Sequence, residues 1–158
     1  MNLPNSIKWI ITDFDGIVTD NCAYIDEGGN ISRRVNFKDV MAFSILKKNG
    51  YQAAIISGEK NSAIEWIAQK FDIKEVHQGI RNKLSVLLSI VEKYQLGRDD
   101  FVYIGDDVND IESLEYAKYK ITVPNAVKKV KNLKDIIITE TKGGEGALRE
   151  IVDELVTT

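Results

Sequence analysis

The sequence has a single cysteine, Cys22, and a single histidine, His77. One cysteine excludes an internal disulfide and makes a reducing, cytoplasmic setting the expectation. One histidine excludes a His-rich metal site. Any metal must then take oxygen ligands, which favours Mg²⁺ or another hard cation. Long apolar runs are also missing, and the longest fall far short of a bilayer span. The opening Met1-Asn2-Leu3-Pro4-Asn5-Ser6 lacks the charged and apolar regions of a secretory signal. No charge of one sign dominates. The 21 basic and 24 acidic residues are interspersed and leave a net charge of −3, so no nucleic-acid or membrane footprint is visible. Repeats, linkers and low-complexity segments are absent. What remains is an ordinary 44% apolar fraction over 158 residues, enough for one domain spanning 1–158 with a substantial core.

Short apolar runs alternate with longer amphipathic segments. Strands are expected near 8–12, 52–57, 75–77, 101–105, 120–123 and 135–138. Helices are expected at about 40–49, 62–71, 83–95, 110–117 and 146–155, the first with Asp39 as N-cap and Gly50 as its stop. Strand alternating with helix predicts an α/β fold: a doubly wound parallel sheet between two helical layers. Residues 22–25 and 31–37 flank Asp26-Glu27-Gly28-Gly29-Asn30, a hairpin signal, so a small β-flap over about 22–37 is expected beside the first strand's end.

That first strand ends abruptly in Asp13-Phe14-Asp15-Gly16. Two carboxylates spaced i and i+2 past the end of a parallel strand lie where open α/β sheets bind ligands. Like charges so placed repel unless a cation or a reaction uses them. A second apolar run ends in Gly105-Asp106-Asp107-Val108-Asn109-Asp110. Either cluster alone could be an acidic turn or a helix cap. Two acidic strand ends in one sheet instead offer Asp13, Asp15 and Asp106 as oxygen ligands for one hard cation. Ser57-Gly58 follows a third strand, and a hydroxyl with a glycine N–H makes a phosphate cradle, although Ser-Gly also reads as a plain turn. Lys83 opens a helix, where a cation meets the positive end of the dipole. It is either a solvated surface lysine or the partner of an anion.

These pieces suit phosphoryl transfer. A carboxylate attacks phosphorus, a second carboxyl moves the leaving group's proton, and Ser57, Gly58 N–H and Lys83 hold the equatorial oxygens. The four motifs, in this order, resemble the haloacid dehalogenase superfamily, with D-x-D-G, a strand-end Ser/Thr, Lys and G-D-D-x-x-D. The resemblance implies Asp13 as nucleophile and Asp15 as acid/base. It implies a Mg²⁺ ion held by Asp13, the carbonyl of Asp15 and Asp106, with Asp107 and Asp110 orienting that shell. The chain is too short for a large cap domain. The flap, Asn36-Phe37-Lys38-Asp39, Gln78-Gly79 and Gly143-Gly144-Glu145-Gly146 are similar to a capless subfamily. Its members include phosphatases of 3-deoxy-D-manno-octulosonate 8-phosphate and 2-keto-3-deoxynononate 9-phosphate. The subfamily implies a homotetramer in which neighbours, flap and glycine-rich tail complete each site. Without the resemblance, the Gly143–Gly146 stretch reads as a flexible turn.

The chain departs from the subfamily pattern in three places. Val40 stands where glycine is usual, and a β-branched residue resists positive φ, so a different local backbone or pocket is expected. Asn21 replaces glycine more mildly, because Asn tolerates the left-handed region. Glu59 and Lys60 replace the usual continuation after Ser57-Gly58. Glu59 with Lys70 looks more like the nine-carbon branch, although an acid also suits a helix's first turn. The carbon count stays open, with a lean to nine. The substrate is then a phosphorylated sugar acid. Its carboxylate asks for a cation beyond Lys83, from Lys60, Lys70 or Arg149, while Glu59 accepts from sugar hydroxyls. Two other readings are a receiver-type phosphoacceptor domain and a non-catalytic oligomerisation module. In a receiver the lysine follows all the acidic residues, and in a degenerate module the motifs would be broken.

Overall fold

The computed structural model describes residue 1 and residues 3–157. Six parallel strands form the central sheet: β1 (Trp9–Thr12), β4 (Gln52–Ile56), β5 (Glu75–His77), β6 (Phe101–Ile104), β7 (Tyr119–Thr122) and β8 (Ile137–Ile138). Their order is β5-β4-β1-β6-β7-β8. β1 is flanked by β4 and β6, with Thr12 opposite both Ile55 and Ile104. All four residues of β1 and of β6 are buried, which is why they read as unbroken apolar runs. The chain leaves β1 toward β4 on one side and later returns to β6 on the other. The crevice at their carboxyl ends is therefore a topological switch point.

Helices α1 (Phe37–Lys48), α2 (Ser62–Phe71), α3 (Lys83–Lys93), α4 (Ile111–Tyr116), α5 (Lys128–Lys131) and α6 (Ala147–Thr157) flank the sheet. α1 packs against α2 and α6, and α3 against α4. The antiparallel ribbon β2 (Tyr24–Ile25) with β3 (Ile31–Ser32) projects after β1, and a bridge between Thr19 and Val35 closes its stem. Asp26 shapes the tip by accepting from the Asn30 backbone and side-chain amides at 2.9 and 2.8 Å.

Several expectations change. Asn36, not Asp39, caps α1; its side chain accepts from Lys38 N at 2.9 Å. Asp39 lies inside the helix and serves another one, accepting from Gly146 N at 2.9 Å and Arg149 N at 3.3 Å at the start of α6. Val40 is helical and 1% exposed in the core, so the position needs no positive φ and the backbone is undisturbed. Asn21 does take φ +63. Helix α5 was not expected, because four residues carrying three lysines show no amphipathic period. The Gly143–Gly146 stretch is not a free turn. It lies against the chain's own Asp13–Asp20 loop, with Gly144 N donating to Ile17 O at 2.9 Å. A Cβ at Gly143 would come within 1.7 Å of Gly16 O, so only glycine permits this contact.

Candidate active site

The three strand ends converge. Asp13 follows β1, Ser57 follows β4 and Asp106 lies two residues past β6. A cavity of about 190 Å³ opens there, lined by Asp13, Asp15, Asn21, Ser57, Gly58, Glu59, Asp107 and Asn109.

Beneath it lies a buried charged cluster. Lys83 is 1% exposed, and its Nζ lies 2.8 Å from both Asp13 Oδ2 and Asp110 Oδ1. The lysine at the helix start is thus explained, because its side chain turns away from the dipole to two carboxylates. Burial opposes its charge, but Asp13 and Asp110 outweigh that and raise its pKa, so the ammonium persists. Asp110 is fully engaged. It also accepts from Tyr103 OH at 3.0 Å and from the amides of Asp106 and Asp107 at 3.1 and 3.2 Å. Asp107 caps the turn at Val108–Asp110, accepting from Val108 N at 2.6 Å. Burial, then the Asp110 charge, pushes Asp13 well above the ordinary carboxylate range, against the pull of Lys83. Burial, then repulsion from Asp110 and Asp107, raises Asp106 to about 7.

Two acceptors are left over. Asp106 Oδ1 and Asp15 Oδ2 are buried and have no hydrogen-bond partner among the described residues. Carboxylate oxygens of Asp13, Asp106 and Asp110 lie within 4.8 Å of one another, with one lysine among three acids. An all-oxygen donor set, excess negative charge and an orphaned buried oxygen on Asp106 fit a hard divalent cation. Gly16 makes room for that carboxylate, since a Cβ there would sit 2.0 Å from Asp106 Oδ2.

Ser57 is buried beside the cavity, and its Oγ accepts from Glu59 N at 3.2 Å. Gly58 faces Asn109, whose Nδ2 would lie 3.2 Å from a Cβ at position 58. Glu59 stands exposed on the rim, and Lys60 folds over Gly79. Two expected substrate contacts are elsewhere in this subunit. Lys70 is in the last turn of α2, away from the strands' carboxyl ends, with Nζ 4.6 Å from the Trp66 ring. Arg149 opens α6 and pairs with Asp153 at 2.7 Å. Neither lines the cavity, because a residue more than two helical turns along α2, or one beyond the glycine stretch, is carried out of reach. The sequence did not single out Thr19 and Arg33, which meet Asp15 Oδ1 at 3.0 and 3.1 Å, Tyr103, which donates to Asp110, or Asn109 on the cavity wall. Thr19 and Asn109 lie within the acidic motifs, a usable signal; nothing local marks Arg33 or Tyr103.

A profile of haloacid dehalogenase-like hydrolases matches residues 37–151, well over half of the chain, and the chain belongs to that family. The receiver-type reading is thereby set aside. The chain is 28% identical over 156 residues to the 3-deoxy-D-manno-octulosonate 8-phosphate phosphatase of Salmonella typhi, covering 99% of this chain and 82% of that protein. It superposes with a TM-score of 0.90, at 29% identity, on the enzyme of the same name from Moraxella catarrhalis, solved with magnesium, phosphate and the sugar acid; 97% of this chain and 87% of that one are covered. The cobalt-bound enzyme of Haemophilus influenzae gives 0.88 at 27% identity, covering 97% and 89%. Among the described residues no helix is long and apolar enough to cross a membrane.

Proposed function

We propose that this chain is a Mg²⁺-dependent phosphatase that hydrolyses the terminal monoester of a 3-deoxy-2-keto sugar acid phosphate, of the octulosonate 8-phosphate type. The observation that carries the reading is the buried Asp13 carboxylate, held by Lys83 at the end of β1 and bordering a polar cavity. Asp13 attacks phosphorus and the ester oxygen leaves as Asp15 protonates it. Asp15 then takes a proton from the water that cleaves the aspartyl-phosphate. Ser57, Gly58 N–H and Lys83 bind the phosphoryl oxygens. Asp13, the Asp15 carbonyl and Asp106 would hold Mg²⁺, while Asp107 and Asp110 orient them. The ion, when bound, offsets the repulsion between a dianionic substrate and the carboxylates. Glu59, Asn21 and Asn109 on the rim offer hydrogen bonds to the polyol.

The named relatives favour eight carbons over the nine suggested by Glu59. Of the three candidate cations, Lys60 stays nearest in this subunit, next to the rim residue Glu59 and folded over Gly79. Lys70 and Arg149 can serve only a neighbour's site, in an assembly that the hairpin supports: Tyr24, Ile25 and Ile31 are 58–67% exposed, more than a two-stranded ribbon leaves to water by choice. We place the enzyme as a cytoplasmic homotetramer, in keeping with its lone, exposed Cys22. Phosphate release with Mg²⁺ over a panel of eight- and nine-carbon sugar-acid phosphates tests the reading. A preference for the eight-carbon ester of at least about tenfold in kcat/KM, worth ~1.4 kcal/mol, is expected. No release from any ester overturns the phosphatase, and a nine-carbon preference overturns the chain length.

A further inference from the structure

Asp15 is held by one oxygen only. Its Oδ1 accepts from Thr19 Oγ1 at 3.0 Å and meets Arg33 Nε at 3.1 Å. Its Oδ2 is buried without a partner among the described residues. Both tethers come from one local structure, the stem of the hairpin, where Thr19 bridges Val35. The next residue locks that stem in place: Arg34 Nε lies 3.0 Å from Asp20 Oδ2, and its Nη2 donates to Gly144 O at 3.4 Å. Arg33 is largely covered, with a side chain 17% exposed against 48% for Arg34. Successive residues of the stem thus point oppositely, one inward to the acid and one outward to the frame.

A carboxyl group moves a proton efficiently only when the oxygen in use is held within hydrogen-bond reach of the reacting atom. Pinning one oxygen from two sides fixes the direction of the other. We infer that Arg33 is a positioning residue, which fixes Asp15 through Oδ1 so that the second oxygen serves proton transfer and which makes the hairpin part of the catalytic geometry. This rests on the phosphatase reading above. In the first half-reaction the P–O bond to the ester oxygen breaks and an Asp13–P bond forms, while the proton of the Asp15 carboxyl passes to the departing alkoxide. In the second, water attacks phosphorus and yields its proton to the Asp15 carboxylate, and the Asp13–P bond breaks to free phosphate. Arg33 keeps its own charge and protons throughout.

The consequence is a dependence on the leaving group. An alkoxide needs the proton; p-nitrophenolate leaves without one. Arg33→Ala is compared with the wild-type protein on a sugar-acid phosphate and on p-nitrophenyl phosphate, with Mg²⁺ present and the fold checked by circular dichroism. On the alkyl ester kcat should fall by about a hundredfold, with KM changed less than about threefold. The first-turnover release of p-nitrophenolate should keep its wild-type rate, followed by slow steady turnover as the aspartyl-phosphate waits for water. Arg33→Lys should recover part of the loss, because an ammonium can reach the carboxylate without the guanidinium's planar fork. Thr19→Val, which removes the other tether, should repeat the pattern and serves if Arg33→Ala fails to fold. Equal loss on both leaving groups in the first turnover, or a rise in KM alone, overturns the inference while leaving the phosphatase intact. Absence of release by the wild-type protein from either ester overturns both.

Discussion

Asp39 and Asp106 are both buried carboxylates, 0% and 3% exposed, and the fold treats them differently. Asp39 receives two amides from the start of α6, where a helix offers unsatisfied N–H groups and a positive dipole end. Burial still raises it to about 6, although those amides pull it back toward the ordinary range. Asp106 receives less, because its own amide and the Lys83 charge pull it back only in part. One oxygen is pressed against Gly16, the other is unpartnered, and Asp107 and Asp110 repel its charge. Glu75 resembles Asp39, being saturated by Lys93, Tyr94 and His77. The contrast separates acids that hold the fold together from acids kept short of partners, whose unmet lone pairs suit a ligand.

The largest expected effect falls on the acids of the cavity, Asp13 among them although both of its oxygens have partners. Asp13→Asn should reduce phosphate release to background, and Asp15→Asn should reduce it by ~10²–10⁴-fold. Near-normal turnover of either purified variant would erase the distinction. Metal removal comes next. Excess EDTA should stop the reaction and Mg²⁺ restore it. Ca²⁺ should restore it poorly because its looser, higher coordination disturbs the in-line arrangement. Mg²⁺ at a hundred times its dissociation constant should also add about 2.7 kcal/mol of stability, read as a rise in Tm. Asp106→Asn should lose that rise, whereas Asp39→Asn should keep it.

On the saturated side the signature is pH. Asp39 binds its proton more tightly folded than unfolded, so its contribution to stability is fully present below pH 4 and is lost as pH rises through about 6. The loss levels off above that at up to about 3 kcal/mol. Urea titrations at pH 5 and 7.5 should therefore show wild type losing stability relative to Asp39→Asn as pH rises; parallel profiles would contradict it. The smallest effect belongs to Arg149. Its pairing with Asp153 is a surface i,i+4 contact worth ~0.3–0.5 kcal/mol, and it lies outside its own subunit's cavity, so Arg149→Ala should leave the kcat/KM ratio between sugar-acid phosphate and p-nitrophenyl phosphate unchanged. A tenfold drop in that ratio would show a neighbouring subunit borrowing the residue.

Much of the site was legible because parallel strands are apolar throughout and stop where chemistry begins. Asp13, Ser57 and Asp106 each end such a run, so the sheet alone brings them together. Lys83 was legible as an anomaly, a cation at the wrong end of a helix. Lys70 and Arg149 were carried by resemblance, which transfers residue types and says nothing of distance; α2 and α6 take them away from the cavity. Arg33 was illegible because its partner lies 18 positions back, across a ribbon whose register no local pattern reveals. Asp39 was read as a cap, correctly in kind, but for the wrong helix.

The sequence by itself determined the alternation of strand and helix, the acidic strand ends, the ribbon and the oxygen-only metal chemistry. Each follows from periodicity, turn chemistry or residue type within a few positions. Tertiary structure alone decided that Lys83 joins Asp13 to Asp110, that Asp39 caps α6, that glycine at 143 lets the chain touch its own Gly16, and that Arg33 holds Asp15. Those pairings join residues far apart in the chain. They form because packing the sheet and helices excludes water, and a buried polar group deprived of water must find its partner wherever the fold brings one.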